Sequence, residues 1–189
     1  MISKPSSYQD LSLYKTPKGF RGKNAVVVQL WWFTQSTLFK LSPQVFYKWR
    51  NFVLRLFGAK IGKNVIIRPS VTITYPWKVS IGDNSWIGDD VVLYSLGDIQ
   101  IGSNTVISQK SYICTGSHDY NAVDFPIYAK KITIGNECWL ATDVFVSPGV
   151  SISNGVVVAA RSSVIHDLEA YAVYVGSPAR FLKKRKLEN

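Results

Sequence analysis

IGSNTVISQKSYICTGSHD, residues Ile101–Asp119, holds three six-residue units led by Ile101, Ile107 and Ile113, and it ends one residue past His118, one of two histidines in the chain. A six-residue period fits neither a helix, which repeats at about 3.6, nor an ordinary strand, which alternates at about 2. The period continues outward in both directions. Aliphatic leaders stand at Ile61, Ile67, Ile73, Ile81, Ile87 and Leu93 on one side, and at Ile134, Leu140, Val146, Ile152, Val158 and Val164 on the other. Glycine follows the leader at Gly62, Gly82, Gly88, Gly102 and Gly135, and a small or β-branched residue usually sits four past it, as at Val65, Val91, Thr105, Cys138 and Ser162.

Three such units predict one turn of a triangular prism, with short strands on flat faces and corners between them. The leaders stack inward, and Gly, Asn or Asp supplies corner conformations that other residues resist. Turns paired in parallel rise about 4.8 Å each, so five to six turns give a prism of roughly 25–30 Å. Each turn buries its leaders only against its neighbours, so both ends need covers.

The leader spacing marks one interruption. Ile61, Ile81 and Ile101 lie twenty residues apart, and Ile134 and Ile152 eighteen apart, but Ile101 and Ile134 are separated by thirty-three. The fifteen-residue excess follows His118 and predicts an inserted loop at about 119–131. A long excursion in a compact domain is usually functional.

Three segments follow from this reading: an N-terminal arm with amphipathic helices over 1–58, the prism over 59–175, and a basic tail over 176–189. Residues 1–24 read as an extended arm, and Ala25–Phe39 is apolar but too interrupted for a membrane span. Ser42 and Pro43 predict a helix start, Gly58 its stop. Between them Val45, Phe46, Trp49, Phe52, Val53, Leu56 and Phe57 recur at helical spacing. That aromatic face either packs over the end of the prism or lies on a membrane interface. Ser177–Pro178 predicts a short basic C-terminal helix.

The net charge of +10 is uneven. Residues 1–60 carry ten Lys/Arg against one Asp, residues 61–175 seven against ten acids, and residues 176–189 five against one. Basic ends suit an anionic cofactor, a membrane surface or phosphorylated intermediates. No nucleic-acid reader motif accompanies them. Cys114 and Cys138 form no CxxC pair, which points to free thiols in a reducing compartment rather than zinc or a disulfide framework. With no secretory leader in view, a cytoplasmic place is expected, peripheral at the inner membrane face if residues 25–57 touch lipid.

Six-residue repeats, a histidine opening an inserted loop, the IGNxxW segment at Ile134–Trp139 and VGSPAR at Val175–Arg180 together resemble the hexapeptide-repeat acyltransferases. YPW at Tyr75–Trp77, ISQ at Ile107–Gln109 and CTGSHDY at Cys114–Tyr120 are similar to their exopolysaccharide branch, the colanic-acid-type sugar O-acetyltransferases. The resemblance implies an all-β, left-handed parallel β-helix, an exception to the usual crossover hand. It also implies acetyl-CoA as donor, a homotrimer with active sites between prisms, and a sugar acceptor, free or linked to nucleotide or lipid.

On that resemblance His118 is the general base that takes the proton of a sugar hydroxyl, a task imidazole suits near neutral pH. Asp119 is a candidate to orient it, with a backbone carbonyl as the alternative. Trp139 matches a position beside the pantetheine or acceptor pocket, and Ala141, Thr142, Ala159 and Ala160 match positions along the pantetheine arm, although tryptophan also packs in a core or between subunits and small residues also suit corners. Arg180 and Lys183 match the phosphate end, or else belong to a solvated tail. His166 stands near a family lysine that meets phosphate, or is a surface residue. For the acceptor, Ser95, Asp124, Phe125 and Tyr128 are candidates, since aromatics stack on sugars and carboxylates bind hydroxyls. Two other functions fit the repeat: a non-catalytic scaffold, and a carbonic-anhydrase-like site, which needs three imidazoles around zinc where this chain has two histidines, so no metal is expected.

Overall fold

Successive hexapeptides turn onto three flat faces, and like positions stack directly above one another. The computed structural model describes residues 7–186, so the first six residues of the arm and the last three of the tail lie outside the described residues. The first face stacks Lys60–Ile61, Val79–Ile81, Ile99–Ile101, Ile132–Ile134 and Ser151–Ile152. The second stacks Ile66–Ile67, Trp86–Ile87, Val106–Ile107, Trp139–Leu140, Val157–Val158 and Ala172–Val175. The third stacks Thr72–Ile73, Val92–Tyr94, Tyr112–Cys114, Phe145–Val146 and Ser163–Val164. All these pairings are parallel, and leader meets leader, as in Ile61, Ile81, Ile101, Ile134 and Ile152.

Every leader is buried, Ile61 in the first coil being the most exposed at 8%. Each such side chain contributes about 1.5–3 kcal/mol relative to an exposed one. The residues four past the leader are buried too, and their hydroxyls stitch coil to coil: Ser85 Oγ donates to the Gly102 carbonyl and Thr105 Oγ1 to that of Gly135. Ser117 departs from this set and is only half-buried, because the chain has left the prism by then.

The glycines after the leaders serve a purpose other than the expected one. A Cβ on Gly102 would meet the Asn136 amide nitrogen at 2.6 Å, so it is the close approach of the next coil that excludes a side chain. The left-handed corner conformation falls instead to residues such as Asn64, Asn84 and Asn104, with φ near +55°. Asparagine tolerates that region better than most residues.

Below the first coil sit α1 (Ala25–Thr34), a five-residue π-turn (Gln35–Phe39) and α2 (Tyr47–Leu56). Asn24 caps α1 by accepting from the Val27 amide at 3.0 Å. Trp31 is fully buried and donates its indole N–H to the Ile73 carbonyl.

One sequence expectation fails here. The helix begins at Tyr47, not after Ser42–Pro43, because the Arg50 guanidinium draws the Ser42 hydroxyl and the Pro43 and Gln44 carbonyls to itself. Its apolar face divides: Val53 and Phe57 pack against the prism core beside buried Arg50, Asn51 and Leu54, while Val45, Phe46, Trp49, Phe52 and Leu56 are exposed. Asn51 and Arg50 bond the Val65 and Ile67 carbonyls, free groups of a coil with no strand below it. The predicted stop at Gly58 holds, with φ +91°.

The C-terminal helix is also absent. Arg180–Lys184 is a strand, antiparallel to Ala172–Val175, after a turn through Gly176 and the cis Ser177–Pro178 bond. The last coil offers an unpaired strand edge, and satisfying it outweighs the weak preference of a few residues for helix.

Candidate active site

All the extra residues of the long turns emerge at one corner, between the third and first faces. In the lowest turn they form Pro76–Lys78, in the next Leu96–Asp98, and in the third the whole insertion. The insertion is a β-hairpin rather than an irregular loop: Gly116–His118 pairs antiparallel with Ile127–Ala129, with His118 opposite Ile127. His118 is the last residue of the outgoing strand.

His118 Nδ1 lies 2.9 Å from the Phe125 carbonyl oxygen. A carbonyl only accepts, so Nδ1 carries the proton in the neutral ring and Nε2 keeps the lone pair. The Phe125 ring stacks on the imidazole, with centroids 4.3 Å apart and planes 9° apart. Phe125 adopts φ +47°, an unusual conformation for a bulky residue. It thus clamps the imidazole twice, and the expectation that its ring serves as a sugar platform is revised, since one face already lies on His118.

Asp119 does not orient His118. Its carboxylate accepts from the Asn121 amide at 2.9 Å, closing the hairpin tip, and the Phe125 carbonyl does the orienting. Ser95 is fully buried, accepting from the Tyr75 amide and donating to the Tyr75 carbonyl, so it joins coils and is closed to an acceptor. Asp124 is exposed at the hairpin tip, and Tyr128 is exposed beside the Lys130 ammonium.

The N-terminal arm climbs this same corner. Lys78 Nζ donates to the Phe20 and Leu96 carbonyls, Trp77 donates to the Arg21 carbonyl, and the Asp10 amide donates to the Val123 carbonyl in the hairpin. Burial holds the Lys78 ammonium below the ordinary lysine range. This route brings the Tyr14 ring to 6.2 Å from His118, centroid to centroid. Tyr94 and Cys114 are register partners beneath the hairpin, and Tyr94, Tyr112 and Phe145 form a ladder of rings about 6 Å apart on the third face. Burial raises the Tyr94 and Tyr112 phenols and the Cys114 thiol above their usual pKa.

No motif in the sequence reveals Tyr14 as a neighbour of His118, nor the Tyr94–Cys114 column beneath the hairpin. Tyr94 and Cys114 each follow a leader by one and so face outward in a shared column, a signal the six-residue period contains. Nothing in the period places Tyr14, because the arm lies outside the repeat.

The cofactor candidates gather at another corner. Trp139 is 48% exposed on the second face, its indole N–H donating to Ser108 Oγ at 3.0 Å. Ala141 and Ala159 lie on consecutive coils just past that face, each amide donating to the coil above, and Thr142 and Ala160 follow them. Lys183 pairs with Val173 at the top of the same face, and Arg180 with Val175. Trp139, the two alanines, Arg180 and Lys183 therefore line one edge of the upper prism. His166 does not join them: it is exposed past Ser163–Val164, at the corner below which the hairpin leaves. Among the described residues no group of three His, Cys, Asp or Glu side chains gathers to hold a metal.

A left-handed β-helix of stacked hexapeptides, with a histidine held at an inserted hairpin, defines the hexapeptide-repeat class of acyltransferases. No family model matches the chain. It is 63% identical over 177 residues to a protein of Escherichia coli (strain K12) named as a colanic acid biosynthesis acetyltransferase, WcaF, covering 94% of this chain and 97% of that one. A maltose O-acetyltransferase from Clostridium difficile superposes with a TM-score of 0.78 at 25% identity, covering 87% and 90% of the two chains. A hexapeptide-repeat acetyltransferase from Vibrio cholerae, solved with acetyl coenzyme A, shares the fold at a TM-score of 0.78 and 23% identity, covering 87% and 92%. The chain belongs to the hexapeptide-repeat acetyltransferases.

Proposed function

We propose that this acetyltransferase moves the acetyl group of acetyl-CoA to a sugar hydroxyl during exopolysaccharide or surface-glycan assembly, with His118 as general base. The single observation that carries the mechanism is the Phe125 carbonyl on His118 Nδ1, which leaves Nε2 as the proton acceptor. The sugar oxygen attacks the thioester carbonyl as Nε2 takes its proton. The tetrahedral intermediate then collapses, the C–S bond breaks, and the proton on Nε2 passes to the departing sulfur. Attack and release use the same nitrogen, and the Nδ1 bond stabilises the transient imidazolium.

Trp139, Ala141, Thr142, Ala159 and Ala160 hold the pantetheine arm, and Arg180 and Lys183 meet the phosphates. These residues stand one prism face away from His118, on the order of 15 Å given strand rise. That separation supports a homotrimer in which the cofactor edge of one prism faces the hairpin of the next. Tyr14, Tyr94 and Tyr112 line the acceptor side, with Asp124 and Tyr128 at its rim. The identity to the Escherichia coli protein supports a place in colanic-acid-type glycan synthesis, and dependence on acetyl-CoA supports a cytoplasmic one.

The variant His118→Asn tests the mechanism. Its amide N–H replaces Nδ1 in the bond to Phe125 while Nε2 is lost. Transfer to an acceptor found by screening nucleotide- and lipid-linked sugars falls about 10²–10⁴-fold, with acetyl-CoA binding by calorimetry unchanged. Transfer at the wild-type rate would falsify the assignment; loss of acetyl-CoA binding in the wild type would favour the scaffold reading.

A further inference from the structure

The helical base of the prism presents a surface that acetyl transfer does not use. Leu30 and Phe33 on α1, Leu41 and Val45 in the connection, and Phe52 and Leu56 on α2 are each more than half exposed. Leu30 and Phe33 are three apart on α1, and Phe52 and Leu56 four apart on α2, so the exposed positions lie on one side of each helix, with Leu41 and Val45 exposed in the connection between them. Leu38, Leu41, Pro43 and Phe46 line an open cleft of about 450 Å³. The other side of α2 is committed to the first coil through Arg50 and Asn51. The apolar side is therefore not a core face waiting for this chain to close on it.

The charge around this surface points to what covers it. From Leu11 to Gly82 the chain carries twelve Lys or Arg and not one Asp or Glu. Lys40 and Lys48, beside these apolar positions in sequence, are exposed and bonded to no acid among the described residues. A second copy docking through the same face would set two cationic stretches against each other, the acid beside α2, Asp89, being already paired with Arg68. An anionic bilayer gains from both features, since apolar side chains enter the acyl boundary while lysines meet phosphates. No described helix is long and apolar enough to cross a membrane, so the contact is one of lying on the surface.

We propose that this helical base is a docking surface for an anionic lipid bilayer, with the cleft admitting part of an acyl chain. The hairpin leaves from the third coil, about 10 Å above the first at the usual strand spacing. The docked protein therefore holds His118 within reach of a glycan carried on a lipid. That consequence rests on the acetyl-transfer reading; the docking does not.

The test is flotation of the full chain with vesicles of phosphatidylcholine, with and without phosphatidylglycerol. The wild type floats with the phosphatidylglycerol vesicles, and less so as salt rises. The variant Leu41→Asp/Val45→Asp, at positions over 70% exposed, partitions about tenfold more weakly or worse, and Lys40→Glu/Lys48→Glu loses the preference for phosphatidylglycerol. Acetyl-CoA binding by calorimetry and the thermal melt stay unchanged in both, which separates docking from folding and from the donor site. Three results each overturn the proposal: a wild type that fails to float at low salt, a double aspartate that floats equally well, or a double aspartate whose effect is to break an oligomer in light scattering.

Discussion

Replacing Arg50 by methionine and, separately, Phe52 by serine distinguishes which side of α2 holds the protein together. Arg50 is fully buried, and its guanidinium donates to the Ile67 carbonyl at 2.7 Å, to Ser42 Oγ at 2.8 Å and to the Pro43 and Gln44 carbonyls at 2.9 and 2.5 Å. Burial also holds this guanidinium below its ordinary pKa, so its charge has little solvent to fall back on. Methionine keeps most of the stem volume but leaves these four acceptors without their donor. Each charge-assisted bond is worth about 1.5–3 kcal/mol net, offset in part because a buried charge is no longer desolvated, so a loss of about 3–5 kcal/mol is expected. For a chain of this size about 1 kcal/mol moves Tm by roughly 2–4 °C, which gives a drop on the order of 10 °C. Phe52 is 55% exposed on the opposite side. Phe52→Ser should therefore stay within about 0.5 kcal/mol, as surface changes do. Thermal melts by circular dichroism in lipid-free buffer measure both. A Phe52→Ser loss equal to that of Arg50→Met would refute the orientation of the helix and the exposed base with it.

Gly102→Ala places a methyl 2.6 Å from the Asn136 amide nitrogen, where the neighbour is backbone and cannot swing aside. It lowers stability by about 1–3 kcal/mol, read as a shift of the urea midpoint at unchanged slope; an unshifted midpoint contradicts the close-approach account. Tyr14→Ala removes the ring that the arm brings beside His118. The acceptor KM rises several-fold while the KM for acetyl-CoA holds; a change confined to acetyl-CoA would move Tyr14 to the donor side.

Much of the fold is legible in the chain because one residue in six answers to a single demand. A leader such as Ile107 must vanish into the axis whatever surrounds it, so its spacing alone states the period, the faces and the stacking. The interruption after Ile113 is legible for the same reason, and with it the position of His118. What failed is where two local preferences competed with a distant partner. Ser42–Pro43 reads as a helix start until Arg50 claims its carbonyls. Ser177–Pro178 reads as another until the last coil offers an open edge. Asp119 looks like an orienting carboxylate because it is adjacent in sequence, but the hairpin turns the Phe125 carbonyl to Nδ1 instead.

The prism, its five to six turns, the corner of the insertion and the histidine at its release all follow from a short repeating period that the residues state on their own. Which nitrogen of His118 is held, that the arm brings Tyr14 beside it, and that α2 turns Trp49 and Phe52 outward emerge only in the folded chain. Those depend on contacts between segments far apart in the chain, where hydrogen-bond satisfaction and burial are settled by what each group meets in space. The periodic residues meet only copies of themselves, so their environment was already written in their spacing.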